Sequence, residues 1–397
     1  MHNQQTHLNM QKVRQDTPGC EHVLHFNNAG AALMPQPVLD AVTEHLQLEA
    51  MIGGYEAADA AHEKIEHVYD SIATLLNCRR EEVAIIENAT RAWDMAFYGI
   101  LFMPGDRILT AKASYASNYI AFLHMAEREG VIIDVIPDDK FGQLSVPALR
   151  DMMDERVQLI AITHMPTNGG LVNPAAEVGQ IAREANVLYL LDACQSVGQL
   201  PIDVEAIGCD MLSATGRKWL RGPRGTGFLY IREAVLSQLD PPFLDLHAAT
   251  WTATNAFEVR ADARRFETWE TNFAGKIGLG VAVDYAMKLG MDAIWERVCH
   301  LSQMLREKLA RVSGVTVHDL GRVQGGIVTF VVDGVTPNDV KRILREQKIN
   351  VSTTTHFSTR LDMESRGLDE MVRASIHYYN TEAEIERFIT AVSRLRP

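Results

Sequence analysis

In Thr215-Gly-Arg-Lys-Trp-Leu-Arg-Gly-Pro-Arg-Gly-Thr-Gly227 one lysine is set among arginines and glycines. A chain that is acidic overall needs a local anion to answer such a cluster. Lys218 follows Asp192 by 26 residues, and Asp192 closes the apolar run Val187-Leu-Tyr-Leu-Leu191. Two parallel strands joined by one crossover need about that separation, so the ammonium and the carboxylate can reach one crevice. A lysine that forms a Schiff base and an aspartate that keeps a pyridine nitrogen protonated are the two groups that pyridoxal 5′-phosphate requires. Thr90 and the amide of Ala89, at the expected start of a helix, offer a hydroxyl and backbone donors to a phosphate. Thr215 and Arg217, flanking the lysine, add a second hydroxyl and a charge-assisted contact.

Rival motifs fail. Gly216-Arg-Lys-Trp219 has neither the spacing nor the final hydroxyl of a Walker A loop, and Gly278-Leu-Gly280 follows no strand, as a dinucleotide fingerprint must. No GxSxG elbow occurs.

These residues need a scaffold, and the apolar patterning supplies one. Short apolar runs at Val83–Ile86, Arg107–Thr110, Ile132–Pro137, Leu159–Thr163, Val187–Leu191, Met211–Ser213 and Gly227–Ile231 alternate with helical patterns. Runs so short and apolar on both sides suit strands buried on both faces, which predicts an α/β fold with a mostly parallel seven-stranded sheet. A helix over Val38–Glu49 precedes this region. After residue 290 the pattern becomes that of a small α+β unit, with strands at Gly325–Val332 and Val372–Ile376 and helices at Pro337–Gln347 and Glu382–Leu395. No Pro/Gly/Ser linker intervenes, so a long helix near 290, within Met291–Ser313, is expected to join the two parts. In open parallel sheets ligands bind beyond the strand C-termini. The expected crevice therefore takes in Asn88–Thr90, Ser114–Tyr115, Thr163–Gly170, Asp192–Gln195 and the lysine loop.

The 397 residues are 47% hydrophobic, enough for a sizeable core. A net charge of −13 argues against nucleic acid or an anionic membrane as the main partner. No run is long enough for a membrane span, and the polar start lacks the apolar core of a signal peptide, which places the protein in the cytoplasm. Five cysteines, at 20, 78, 194, 209 and 299, are odd in number and contain no CxxC pair, so they read as reduced thiols. His62 and His67 are five apart on a helical pattern and point to different faces, so no metal site is expected.

The chain resembles the class V aminotransferase and cysteine desulfurase superfamily, of pyridoxal-phosphate fold type I. The resemblance runs from His25-Phe-Asn-Asn-Ala-Gly30 to Tyr378-Tyr-Asn-Thr-Glu382. Its motifs are Ile162-Thr-His164 with Asn173-Pro174, Leu191-Asp-Ala-Cys-Gln-Ser196, Thr215-Gly-Arg-Lys218, Arg265-Phe-Glu267 with Gly278-Leu-Gly280, and Val372-Arg-Ala-Ser375. It implies a large cofactor-binding domain over 26–288 and a small domain built from 1–25 and 289–397. Lys218 then matches the lysine that binds the cofactor and later moves the α-proton. Asp192 matches the partner of the pyridine nitrogen and Gln195 that of the phenolic oxygen. Ala89, Thr90, Thr215 and Arg217 match phosphate contacts, and Tyr115 falls near the ring that stacks on the cofactor. Thr167 or Asn168 lies where a polar residue covers it. Arg373 matches the arginine that pairs with the substrate carboxylate, and Gly30, Tyr55 and His356 are placed with it around the substrate. The family pairs into dimers whose second subunit completes the phosphate site from a segment matching Glu270-Thr-Asn272. A carboxylate at Glu270 cannot hold a phosphate, which leaves Thr271, Asn272 or the loss of that contact.

The resemblance also bears on the reaction. Desulfurases carry a sulfur-accepting thiol on the loop before that arginine, whereas Ser352-Thr-Thr-Thr-His-Phe-Ser-Thr-Arg-Leu-Asp-Met363 has none and no cysteine occurs beyond 300. Cys194 is expected to pack under the cofactor, so persulfide transfer is not expected. The expectation is β-elimination from a cysteine-derived amino acid, releasing pyruvate and ammonia, with Tyr55 or His356 protonating the leaving group. Gly53-Gly-Tyr-Glu-Ala-Ala58 and Trp269-Glu270 further resemble the subgroup of the ergothioneine-pathway lyase that cleaves hercynylcysteine sulfoxide, with isopenicillin N epimerase-like proteins near it. Transamination with a keto acid and epimerisation are the alternatives, followed by a regulator that binds the cofactor without turnover.

Overall fold

In the computed structural model residues 8–395 are described; residues 1–7 and 396–397 of the expected small domain lie outside them. After a two-residue strand, β1 (Leu24–His25), the seven apolar runs become the strands of one sheet. They are β2 (Val83–Ile86), β3 (Arg107–Ala111), β4 (Ile132–Ile136), β5 (Val157–Thr163), β6 (Leu188–Asp192), β7 (Met211–Thr215) and β8 (Gly227–Ile231). Their order is β2-β8-β7-β6-β5-β3-β4, and only β8 runs against its neighbours. Successive side chains of β6 go to opposite faces, as the pleat requires. Leu191 packs with Tyr69, Ile181 and Leu279 on one side, while Leu190 packs with Trp93 and Phe122 on the other. Burial on both faces is why these strands read as unbroken apolar runs.

A hairpin that the apolar pattern did not reveal follows: β9 (Ala249–Ala253) and β10 (Ala256–Val259). Trp251 stands opposite Phe257 across it, and both are exposed, at 78% and 62%.

The joining helix expected near 290 is Met291–Leu309, and a helix not singled out in the sequence, Phe273–Leu289, leads into it with a break at Gly290. Gly290 adopts φ +90°, which a residue with a Cβ rarely takes, so the glycine ends one helix and re-aims the next. The first packs Leu279 and Val283 under the large sheet, and the second packs Leu301 and Leu305 into a separate core.

That second core is built on β11 (Val315–Val317), β12 (Ile327–Val332), β13 (Ile349–Asn350), β14 (Ser352–Thr355) and β15 (Glu370–Ser375). An antiparallel sheet forms in the order β11-β12-β15-β14, while β13 pairs with β1, Leu24 opposite Ile349. The threonine-rich stretch that looked like a loop begins as β14, because β-branched threonines fit a pleated edge. No helix among the described residues is long and apolar enough to cross a membrane.

Candidate active site

A cavity of about 170 Å³ opens at the C-terminal ends of the parallel strands. Each strand delivers a side chain to it as its backbone leaves the sheet: Thr90 after β2, Tyr115 after β3, Thr163 from β5, Asp192 from β6, and Thr215 and Lys218 from and after β7.

Asp192 is buried and tightly held. Its Oδ2 accepts from Asn118 Nδ2 at 2.9 Å and Thr163 Oγ1 at 3.4 Å, and its Oδ1 accepts from the amide of Cys194 at 3.0 Å. Burial pushes its pKa up, against those bonds and the Lys218 charge. Lys218 Nζ lies 3.2 Å from Cys194 Sγ, and burial lowers its pKa, with Arg217 and Arg373 adding to the effect and Cys194 opposing it. A depressed lysine is closer to the free amine that nucleophilic capture needs.

The lysine loop is fixed by close packing. A Cβ on Gly216 would lie 2.4 Å from Thr226 Oγ1, so only glycine lets the loop turn back there. The Arg217 guanidinium meets the carbonyl of Gly30. Arg221 is fully buried and donates to Leu33 O at 2.8 Å, Tyr378 Oη at 2.7 Å and Thr17 Oγ1 at 2.6 Å, with its guanidinium over the Tyr379 ring. Gln195 donates to Ala29 O at 3.2 Å and Thr167 Oγ1 at 3.3 Å, and its Oε1 accepts from Trp219 Nε1. Arg373, on β15, reaches across from the smaller sheet and donates to Thr167 Oγ1 at 2.6 Å. Burial lowers its pKa to about 10.

The structure thus gathers Ala89, Thr90, Tyr115, Thr167, Asp192, Gln195, Thr215, Arg217 and Lys218 around one cavity and sets Arg373 and Gly30 against its wall. Besides Gly30 and Arg373, three expected residues are not among its lining. Asn272 caps the helix Phe273–Leu289 through a bond from Gly275 N and opens on a neighbouring cavity; Tyr55 is 75% exposed on the helix Gly54–Ala60; His356 lies beside Phe357 and 3.7 Å from Asp369. Asn168 turns away too, donating to Thr355 O and Thr359 Oγ1. Conversely, Asn118 and Ser213 line the cavity without having been singled out for it, while Cys194, expected to pack under the cofactor, lines it as well. Asn118 had a signal, since it precedes buried Ala121 and Phe122 by one helical turn and is a polar residue on an apolar face.

The residues present fit pyridoxal phosphate. The helix Ala89–Phe97 begins at the cavity, and its cap, Asn88, accepts from Arg91 N, which leaves the amides of Ala89 and Thr90 available to an anion. Lys218, Arg217 and Arg373 have no carboxylate in ion-pair contact among the described residues, and the buried Arg373 Nε and Ser213 Oγ have no partner. Cations left so beside a cavity fit an anionic ligand there.

The model of the family described as aminotransferase class-V matches residues 24–388. A probable cysteine desulfurase of Methanothermobacter thermautotrophicus is 30% identical over 385 residues, 96% of each chain. Apo cysteine desulfurase from Thermococcus onnurineus NA1 superimposes with a TM-score of 0.90 at 26% identity, over 97% of both chains. The cystine C–S lyase C-DES, in complex with its product cysteine persulfide, gives a TM-score of 0.87 at 24% identity, over 96% of this chain and 100% of its own. A C-DES mutant has been solved with glycine covalently linked to its pyridoxal-phosphate cofactor, at 23% identity and a TM-score of 0.87, over 96% of this chain and 99% of its own. With its fold and its site in agreement with that match, this chain belongs to the aminotransferase class-V family of pyridoxal-phosphate-dependent enzymes of fold type I.

Proposed function

We propose that the protein is a carbon–sulfur β-lyase that acts on a cysteine-derived amino acid, of the kind of hercynylcysteine sulfoxide, and releases pyruvate and ammonia. The observation that carries this reading is the stretch from β14 through the helix Arg360–Ser365, beside the Arg373 strand, which holds threonines and His356 but no thiol to accept sulfur. Asp192 would hold the cofactor's ring nitrogen, Gln195 its phenolic oxygen, Tyr115 and Thr167 its ring, and Ala89, Thr90, Thr215 and Arg217 its phosphate. Bound there, pyridoxal phosphate supplies an electron sink for the charge left when the α-proton departs. Arg373 holds the substrate carboxylate and is itself oriented by Thr167. Lys218 Nζ, unprotonated more readily because of its burial, takes the α-proton, and the β-sulfur group leaves. Neither Tyr55 nor His356 lines the cavity, so Lys218, holding the α-proton, returns it to that group, and the released aminoacrylate hydrolyses to pyruvate and ammonia.

The enzyme works in the cytoplasm as a homodimer, with Asn272 completing the partner's phosphate site. The exposed Trp251–Phe257 pair supports this, since a lone hairpin with two large bare aromatics is poorly stable in water. The double variant W251S/F257S is expected to sediment as a monomer; an unchanged dimer would remove the hairpin from the interface.

Incubating the holoenzyme with cysteine S-conjugates tests the lyase. Pyruvate and ammonia formed without an added keto acid are the expected result; stable conversion to the pyridoxamine form would make the protein an aminotransferase, and solvent deuterium at Cα without product loss an epimerase. A second reading has its own observation: Cys194 Sγ lines the cavity 3.2 Å from Lys218 Nζ. A desulfurase using Cys194 would turn cysteine into alanine and leave a persulfide on that thiol, detectable by mass spectrometry.

A further inference from the structure

The motif Arg265-Phe-Glu267 has no place in the chemistry above, yet its glutamate is among the most heavily bonded side chains of the molecule. Glu267 is 3% exposed. Its carboxylate accepts from Tyr69 Oη at 2.8 and 2.9 Å, from the amide of Ile85 at 2.7 Å and from Lys276 Nζ at 3.3 Å, and His247 Nε2 lies 3.2 Å away. Burial alone would raise its pKa; the Lys276 charge and the donated bonds outweigh burial and hold it at about 2.

The partners are informative by position. Ile85 is on β2, which pairs with β8 on one side only, so its amide points to the open edge and Glu267 takes the place of a neighbouring strand. Three residues beyond Ile85 the same strand delivers Asn88, Ala89 and Thr90 to the cavity. Lys276 is in the first turn of the helix that Asn272 caps, so the carboxylate grips both ends of the intervening segment 268–275. A second cavity, lined by Ile86, Glu87, Thr271 and Asn272, separates the two arms. One carboxylate thus sets the spacing between both backbone segments from which phosphate donors hang.

We propose that Glu267 is a positioning residue for cofactor phosphate, holding through one buried carboxylate both the Ala89–Thr90 cradle of its own site and the Asn272 segment that reaches the partner's. The inference rests on the reading of Ala89 and Thr90 as phosphate donors. It predicts a selectivity that a purely structural glutamate lacks: its loss weakens binding of a phosphorylated ligand and spares the same ligand without phosphate.

The test compares the full-length apoenzyme and its Glu267→Gln variant, each titrated with pyridoxal 5′-phosphate and with pyridoxal and followed by the absorption of covalent capture. Glu267→Gln is expected to weaken pyridoxal 5′-phosphate binding about tenfold or more, the scale of a lost charged hydrogen bond, and to leave pyridoxal binding unchanged. Equal weakening of both ligands, or of neither, overturns the proposal. Thr90→Ala separates the two levels of the argument. If it lowers phosphate selectivity while Glu267→Gln does not, this inference alone fails; if neither lowers it, the phosphate reading fails as well. Should Glu267→Gln not fold, the same ratio is read on Tyr69→Phe, which removes one donor to the carboxylate; an unchanged ratio there also overturns the proposal.

Discussion

Two buried clusters of charge in this molecule are built on opposite plans. Around Glu267 the account is closed: Lys276, Tyr69, His247 and the Ile85 amide surround the carboxylate. Around Lys218 it is open, with three cations and one aspartate, no carboxylate in contact with any of the cations among the described residues, and an arginine nitrogen left without a partner. Burying charge is costly in either place, and the two clusters meet the cost differently. One is completed by the chain, the other by a ligand. Paired charges act through the backbone that they hold, whereas unpaired cations converging on a cavity point directly to an anion.

The sharpest way to break this contrast is at the lysine. Lys218→Ala is expected to lower pyruvate release by about 10³-fold or more and to abolish covalent capture of the cofactor while leaving thermal stability close to unchanged. Retained turnover would remove Lys218 from the centre of the site. At the closed cluster the opposite outcome is expected. Lys276→Met strands a buried carboxylate and should cost about 3–5 kcal/mol of stability in denaturant unfolding, with turnover at saturating cofactor largely kept. Because the folded pKa of Glu267 is depressed, its contribution is fully present above the ordinary glutamate value of 4.5 and is lost as pH falls toward about 2, so acid unfolding of this variant should be shallower over that range.

Smaller effects refine the comparison. Arg373→Lys keeps the charge but loses the fork, and should raise KM for the substrate about 10- to 100-fold with a lesser change in kcat. A fall in kcat alone would detach Arg373 from the carboxylate. Smallest is a pH effect: Lys218 must shed a proton to capture the cofactor, and its pKa is lowered, so the capture rate should rise with pH to a midpoint below the ordinary lysine value of 10.5. Arg217→Gln removes a neighbouring cation and should shift that midpoint upward; a downward shift would contradict the electrostatic account.

Much of this site was legible because each of its main residues ends a buried strand. Asp192 after an apolar run, Thr215 and Lys218 after the next and Thr90 at a helix start all follow from one rule about parallel sheets. Asn118 was marked only as a polar residue on an apolar helical face and Ser213 not at all, since the contact each makes comes from where a helix and a neighbouring strand meet. The hairpin β9–β10 escaped because its large side chains face outward, so no apolar face marked it. The joining helix Met291–Leu309 was legible from its amphipathic pattern, whereas the helix Phe273–Leu289 before it was not singled out. Tyr55, His356 and Asn272 were placed by resemblance alone, and in the folded chain none of the three lines the cavity.

Arg221 carries a consequence for how the protein comes into being. It is one of the residues just past the reactive lysine, and its three hydrogen bonds run to Thr17, to Leu33 and to Tyr378. During synthesis the lysine loop emerges well before Tyr378, which lies 157 residues beyond Arg221 along the chain. Until it arrives a buried guanidinium lacks one of its partners, so the loop cannot settle and the cavity floor stays unfinished. Lys218 is thereby kept from its final setting until the segment that carries Tyr378 has been made.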